Sequence, residues 1–292
     1  MRTLLALAEG VVTSPFKRPH AAAGLPEARL TRGPVDIPRD RLARYGELCG
    51  FAPDPRLPLP YPHLLGFPLA MRIMSRRDFP LPLLGLVHTW ITIERYAPLT
   101  SDDRPEITVY AESLAPHRRG TEVTMVTKAR VAGERVWESR SGYLARHARP
   151  EPYPDTEAPV AAPLLPAVAE WQLPADLGRR YGAVSGDRNP IHLHPLTARA
   201  FGFPRAIAHG MWTFARCLAE LDQDRDRDRG ASAVTHVRAE FRAPVLLPAV
   251  VTYASAADGD AGGGVAGRAS GRFQLRSGDR VHLIGETSAR SA

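Results

Sequence analysis

The chain has 292 residues, 44% of them hydrophobic and 24% charged, with a formal net charge of +7 and two cysteines. That length suits two domains or one large one, and the composition excludes a collagen, a disordered tail, a disulfide-stapled mini-protein and a membrane-spanning helix. Lysine occurs only at Lys17 and Lys128, so 38 − 2 = 36 of the basic residues are arginine, a side chain whose planar fork suits phosphate and carboxylate.

No basic run with interleaved aromatics is present, so nucleic acid is not an expected partner. The apolar stretch from Met1 to Ala8 stops at Glu9, too short for the core of a secretory signal. Cys49 and Cys217 fit no metal or redox spacing. A cytoplasmic location is the expectation.

Taken in chain order, the elements occur twice. A short helix is expected near Pro38 to Cys49 and another near Pro174 to Val184. Their sequences match: Leu42-Ala43-Arg44-Tyr45-Gly46 resembles Leu177-Gly178-Arg179-Arg180-Tyr181-Gly182, with the tyrosines 181 − 45 = 136 apart. Gly66-Phe67-Pro68 recurs as Gly202-Phe203-Pro204 at the same offset, 202 − 66 = 136. Thr89 to Pro98 resembles Thr235 to Pro244 at an offset of 244 − 98 = 146. About ten residues therefore entered one copy between the second and third blocks.

A longer apolar helix is expected from Gly210 to Leu221, with Met211, Ala215 and Leu218 at helical spacing, and Leu69, Ala70, Ile73 and Met74 take its place in the first copy. Strands follow at Leu86 to Tyr96, Pro105 to Leu114, Glu122 to Val131 and Glu134 to Arg146. The second set is Ala233 to Arg242, Ala249 to Ala257, Gly264 to Leu275 and Arg280 to Thr287. Helix followed by antiparallel strands is an α+β arrangement in which the sheet curls around the helix. The boundaries read as 1–148 for the first half, a proline-rich linker over 149–174, and 175–292 for the second half.

The segment Tyr181 to Met211 carries the chemistry. Asp187 and His192 stand five apart in a loop, where Pro190 biases Asn189 away from helix. A turn there can fold carboxylate and imidazole toward one water, as an acid–base pair requires. Ile207-Ala208-His209-Gly210-Met211 opens the apolar helix, whose free N–H groups and dipole suit a carbonyl oxygen gaining charge. Asp187 could instead be only a turn residue, and His192 only a core histidine. Asp187, His192 and His194 also offer three ligands of the kind zinc takes.

Ser185-Gly186-Asp187-Arg188-Asn189-Pro190-Ile191-His192, with Gly202-Phe203 and Ile207 to Met211 downstream, resembles the MaoC-like dehydratase family of (R)-specific enoyl-thioester hydratases. The resemblance implies a tandem, double hot-dog fold, each half an antiparallel sheet wrapped around a long helix. It implies Asp187 and His192 as the catalytic pair, the Gly210 backbone N–H as oxyanion hole, and loop support from Ser185, Asn189 and His209. It implies no metal and no cofactor.

His194 stands where that family more often has aspartate, and is read as a surface change. At the 136 offset the first copy has Phe51 and Arg56 opposite Asp187 and His192, so it cannot supply the pair. One site per chain is expected, interconverting 3-hydroxyacyl and trans-2-enoyl thioesters of coenzyme A or an acyl carrier protein in fatty-acid metabolism. A homodimer of the double chain is compatible with this. The alternatives are a non-catalytic acyl-thioester-binding subunit and an acyl-thioester hydrolase.

Overall fold

The computed structural model describes residues 17, 23–148, 163–227, 234–257 and 271–288. Most of the expected linker (149–162) and the glycine-rich stretch 259–264 lie outside the described residues. The first half contains β1 (Arg29–Arg32), α1 (Arg39–Cys49), α2 (Tyr61–Met74), β2 (Val87–Arg95), β3 (Glu106–His117), β4 (Gly120–Val131) and β5 (Glu134–Arg146). The second contains β6 (Ala167–Leu173), α3 (Leu177–Ser185), α4 (Pro190–Leu193), α5 (Pro195–Ala200) and α6 (Gly210–Arg227). It ends with β7 (His236–Phe241), β8 (Ala249–Ala257), β9 (Gly271–Ser277) and β10 (Arg280–Ser288).

The ten strands among the described residues form one sheet in the order β1-β3-β4-β5-β2-β7-β10-β9-β8-β6. Outward from the β2–β7 seam, each half presents its second, fifth, fourth, third and first strand, so the two halves have identical topology. The seam is antiparallel, running from Trp90 opposite Glu240 to Glu94 opposite His236. Strand alternation turns Val123, Met125 and Ala129 of β4 into the core, where α2 lies against β3 and β4. In α6 the side chains Trp212, Phe214, Ala215, Cys217 and Leu218 are all buried, because α1 and β9 enclose the helix on several sides. This is the α+β arrangement that the sequence pattern implied.

Two readings change. Gly66-Phe67-Pro68 lies inside α2, whereas Gly202-Phe203-Pro204 lies in the turn before α6, so that match is not a structural equivalence. At the offset of the third block, 209 − 63 = 146, His63 in the first turn of α2 corresponds to His209 just before α6. The inserted residues thus fall between the first and second helices of the repeat, where only the second half has α4 and α5. The second change concerns the expected linker. Its last residues form β6, an edge strand paired with β8 alone, flanked rather than interrupted by Pro166 and Pro174. An edge position tolerates neighbouring prolines, which a central strand would not.

Candidate active site

The site is built on the C-terminal end of α3. The helix stops at Gly186, whose φ of 84° is the left-handed conformation that glycine adopts freely, and its N–H caps the carbonyl of Gly182. Gly50 ends α1 in the same way, also at φ 84°, which confirms the repeat at this corner. Beyond Gly186 the chain forms a tight hydrogen-bonded loop. The Asp187 N–H donates to Ser185 Oγ at 3.1 Å, and the Asn189 N–H donates to Asp187 Oδ1 at 3.1 Å. Asn189 caps α4 by accepting from the Ile191 N–H at 3.4 Å. Pro190 then occupies the first turn of α4, where its missing N–H costs nothing.

His192 ends up buried. Its Nδ1–H donates to the Ile207 carbonyl at 2.9 Å, so Nε2 is left as the nitrogen with a free lone pair. The His209 ring lies nearly parallel to it, with centroids 3.7 Å apart. His209 Nε2–H donates to the backbone carbonyl of Asp187 at 3.1 Å and stands 3.8 Å from its Oδ2. Burial lowers the pKa of His192, partly offset by the Asp187 charge and the Ile207 carbonyl. Burial, reinforced by His192, pushes His209 well below the usual range, so its closeness to Asp187 Oδ2 is not an ion pair.

Ser185, Asp187, Asn189, His192, His209 and Gly210 all line one cavity of about 490 Å³. Gly210 is the first residue of α6, and no backbone carbonyl among the described residues engages its N–H. The structure therefore brings Ser185, Asp187, Asn189, His192, His209 and Gly210 to one place and leaves His194 outside it. The ligand atoms of Asp187, His192 and His209 lie within 4.8 Å of one another. An imidazole binds metal in its ring plane at about 2.0–2.1 Å; two nearly parallel rings 3.7 Å apart do not aim at a common ion. His194 is exposed and caps α5 by accepting from the Leu196 N–H, the task an aspartate would also perform.

Sequence reading overlooked several supports. A Cβ on Gly178 would stand 1.9 Å from the His192 carbonyl oxygen, and one on Gly182 would stand 2.7 Å from that of Asp187. These glycines, four apart on one face of α3, let the loop lie directly on the helix; their spacing was the available signal. Arg41 of the first half reaches across to the end of α3, donating to the carbonyls of Val184 at 2.8 Å and Ser185 at 3.1 Å. Nothing in the sequence linked those positions.

The first half does not repeat this chemistry. Phe51 stacks on Tyr45, and Tyr45 meets Tyr61 edge-on. Arg56 turns outward and pairs with Asp54 at 2.6 Å. The first half instead lends the cavity a wall that includes His63, Leu64, Met71, His88 and Tyr143.

Residues 151–265 match the family described as MaoC like domain. The chain is 36% identical over 241 residues to 3-hydroxyacyl-thioester dehydratase X of Mycobacterium tuberculosis, covering 80% of this chain and 82% of that protein. The crystal structure of HtdX from Mycobacterium tuberculosis is similar with a TM-score of 0.73 at 32% identity, over 89% of this chain and 99% of that one. A further Mycobacterium tuberculosis protein, described as having a double hotdog fold, is 13% identical with a TM-score of 0.56, over 90% of this chain and 95% of that one. It supports the fold alone. The chain is a double hot dog and belongs to the MaoC-like dehydratase family.

Proposed function

We infer that the protein is a hydro-lyase of fatty-acid metabolism that interconverts 3-hydroxyacyl and trans-2-enoyl thioesters. The observation that carries this reading is the convergence of Asp187, His192 and the unengaged Gly210 N–H on one cavity. In the hydration direction the thioester carbonyl accepts a hydrogen bond from the Gly210 N–H, which stabilises the enolate-like charge that builds up on it. A water held by Asp187 and His192 adds its oxygen to C3. His192 Nε2 is the acceptor for the proton that this water loses, since Nδ1 is committed to Ile207. C2 gains a proton from the same pair, so one H and one OH are added and nothing else is consumed. Dehydration runs the steps in reverse.

Ser185, Asn189 and His209 hold the loop in this geometry, and the first half serves as wall rather than as a second site. The carrier is coenzyme A or an acyl carrier protein. The test is direct: the full chain, given trans-2-enoyl thioesters of several lengths, is expected to abolish their conjugated ultraviolet absorbance without releasing thiol. Free thiol would mark a hydrolase. Binding without any absorbance change across the panel would mark a non-catalytic subunit.

A further inference from the structure

The catalytic cavity has a strongly basic rim that the chemistry above does not use. Arg118 and Arg119 form the turn between β3 and β4, and Arg146 is the last residue of β5, opposite Gly120 at the start of β4. The turn is held by the Arg119 N–H, which donates to His117 Nδ1 at 3.1 Å, and by the Arg119 carbonyl, which accepts from the His147 N–H at 3.1 Å. All three arginines are exposed and line the same cavity as Asp187 and Gly210. Among the described residues none of them pairs with a carboxylate. Glu122, which also lines the cavity, is occupied by Trp90 Nε1 at 2.8 Å and by the Thr89 hydroxyl.

Arg238 and Arg242, which line the cavity too, are by contrast both engaged by Glu240, at 3.5 and 2.6 Å. Three unneutralised guanidinium groups side by side repel one another. Arg119 is accordingly held below its ordinary pKa, first by partial burial and then by Arg118 and Arg146. An anion relieves that repulsion, and a phosphate ester presents the oxygens that guanidinium forks bind best.

The position fits the end of an extended substrate. Tyr143, which borders the catalytic part of the cavity, precedes Arg146 by three residues on β5, a rise of about 10 Å. Val87 and His88 at the start of β2, paired with Leu144 and Tyr143 of β5, line the same cavity. We place the pantetheine arm of a thioester whose carbonyl meets Gly210 along this lining.

We propose that Arg118, Arg119 and Arg146, all from the half without the catalytic pair, form the phosphate subsite that holds the far end of the pantetheine arm. This rests on the thioester reading above and adds to it the anionic group recognised. Coenzyme A and a phosphopantetheinylated carrier protein share that chemistry.

The experiment compares one enoyl chain on coenzyme A, on an acyl carrier protein and on pantetheine, which has no phosphate. In Arg118→Ala/Arg119→Ala/Arg146→Ala, KM for the phosphorylated substrate is expected to rise about 10- to 100-fold, the effect of losing charge-assisted hydrogen bonds, while kcat holds. Turnover of the pantetheine thioester is expected to hold too, which also reports that the variant folds. The corresponding triple lysine variant is expected to recover part of the loss. An effect on the coenzyme A substrate identifies the nucleotide phosphates as the occupant; one confined to the carrier protein identifies its phosphodiester. Equal losses on all three substrates, or none, overturn the proposal.

Calorimetric binding of free coenzyme A to wild type and to both triple variants is a second readout. Coenzyme A binding weakened in the alanine variant supports the subsite even if no thioester is turned over, whereas unchanged binding together with an unchanged KM for the carrier-protein substrate overturns it. Absence of turnover by wild type overturns the hydratase reading alone.

Discussion

His192 shows how one hydrogen bond sets the chemistry of a residue. The Ile207 carbonyl claims Nδ1–H, so the basic nitrogen is Nε2, and burial keeps the ring neutral at ordinary pH. Asp187→Asn keeps the shape and the turn but loses the charge; His192→Ala removes the proposed base. Each is expected to lower kcat by about 10²- to 10⁴-fold, with the melting temperature near wild type. Wild-type kinetics and thermal melts on the same preparations decide this; near-normal kcat in both variants would falsify the assignment. Because the shift of His192 is downward, the acid limb of the kcat/KM profile is expected below pH 6.5, the ordinary histidine value, and a pH–rate profile measures it. We propose that His209 supports rather than reacts, since its Nε2–H is spent on the Asp187 backbone.

At the scale of elements, the decisive contact is between α3 and the loop that follows it. Gly178 meets the His192 backbone and Gly182 meets that of Asp187, so both halves of the proposed pair are positioned from one helix face. Leu42 stands at the Gly178 position in α1, and a Cβ on Gly46, at the Gly182 position, would stand 3.7 Å from the Phe51 carbonyl oxygen, an ordinary contact. Gly178→Ala is expected to displace the His192 carbonyl and to cost about 10²-fold in kcat, the order of effect that a small misplacement produces. Helix propensity alone would favour that substitution. Circular dichroism should therefore show an intact helix, and unchanged turnover would show that the close approach is not needed.

At the scale of the molecule, the two halves form one sheet through β2 and β7, and the cavity draws walls from both. The second half expressed alone would expose β7 as an unpaired edge and lose His88, Tyr143 and α2 from the site. We expect it to self-associate and to lack turnover, with partial recovery on mixing with the first half; size-exclusion chromatography and the enoyl-absorbance assay check both points.

The shared cavity wall is also expected to make the fold acid-sensitive. Burial pushes His63 down to about 4 and His88, with help from His63, down to about 3. In the unfolded chain both take up a proton near pH 6.5, so between that value and their folded values the unfolded form binds more protons. Their contribution is full above pH 6.5 and is lost as pH falls toward 4, amounting to roughly 3 kcal/mol for His63. Urea midpoints at about pH 7 and about pH 5 should show the fall, with a shallower slope in His88→Phe, which keeps an aromatic ring beside Tyr143 and Phe241.

Much of this was legible in one dimension. The strand alternation, the two matching helix starts, and the run from Ser185 to Met211 are local patterns, and local patterns survive in sequence because neighbouring residues must agree with their own backbone. The Gly66 and Gly202 tripeptides show the limit. Identical letters at a constant offset fell in a helix and in a turn, because the repeat had already shifted by the residues of α4 and α5. By itself the sequence determined the repeated α+β plan, the loop that bears Asp187 and His192, and the absence of that pair from the first half. Only the tertiary structure decided which nitrogen of His192 is free, that Arg41 braces the opposite half, and that Arg118, Arg119 and Arg146 share a cavity with Gly210. Those facts depend on strands and helices far apart in the chain being packed side by side, and nothing in local backbone preference encodes such distances.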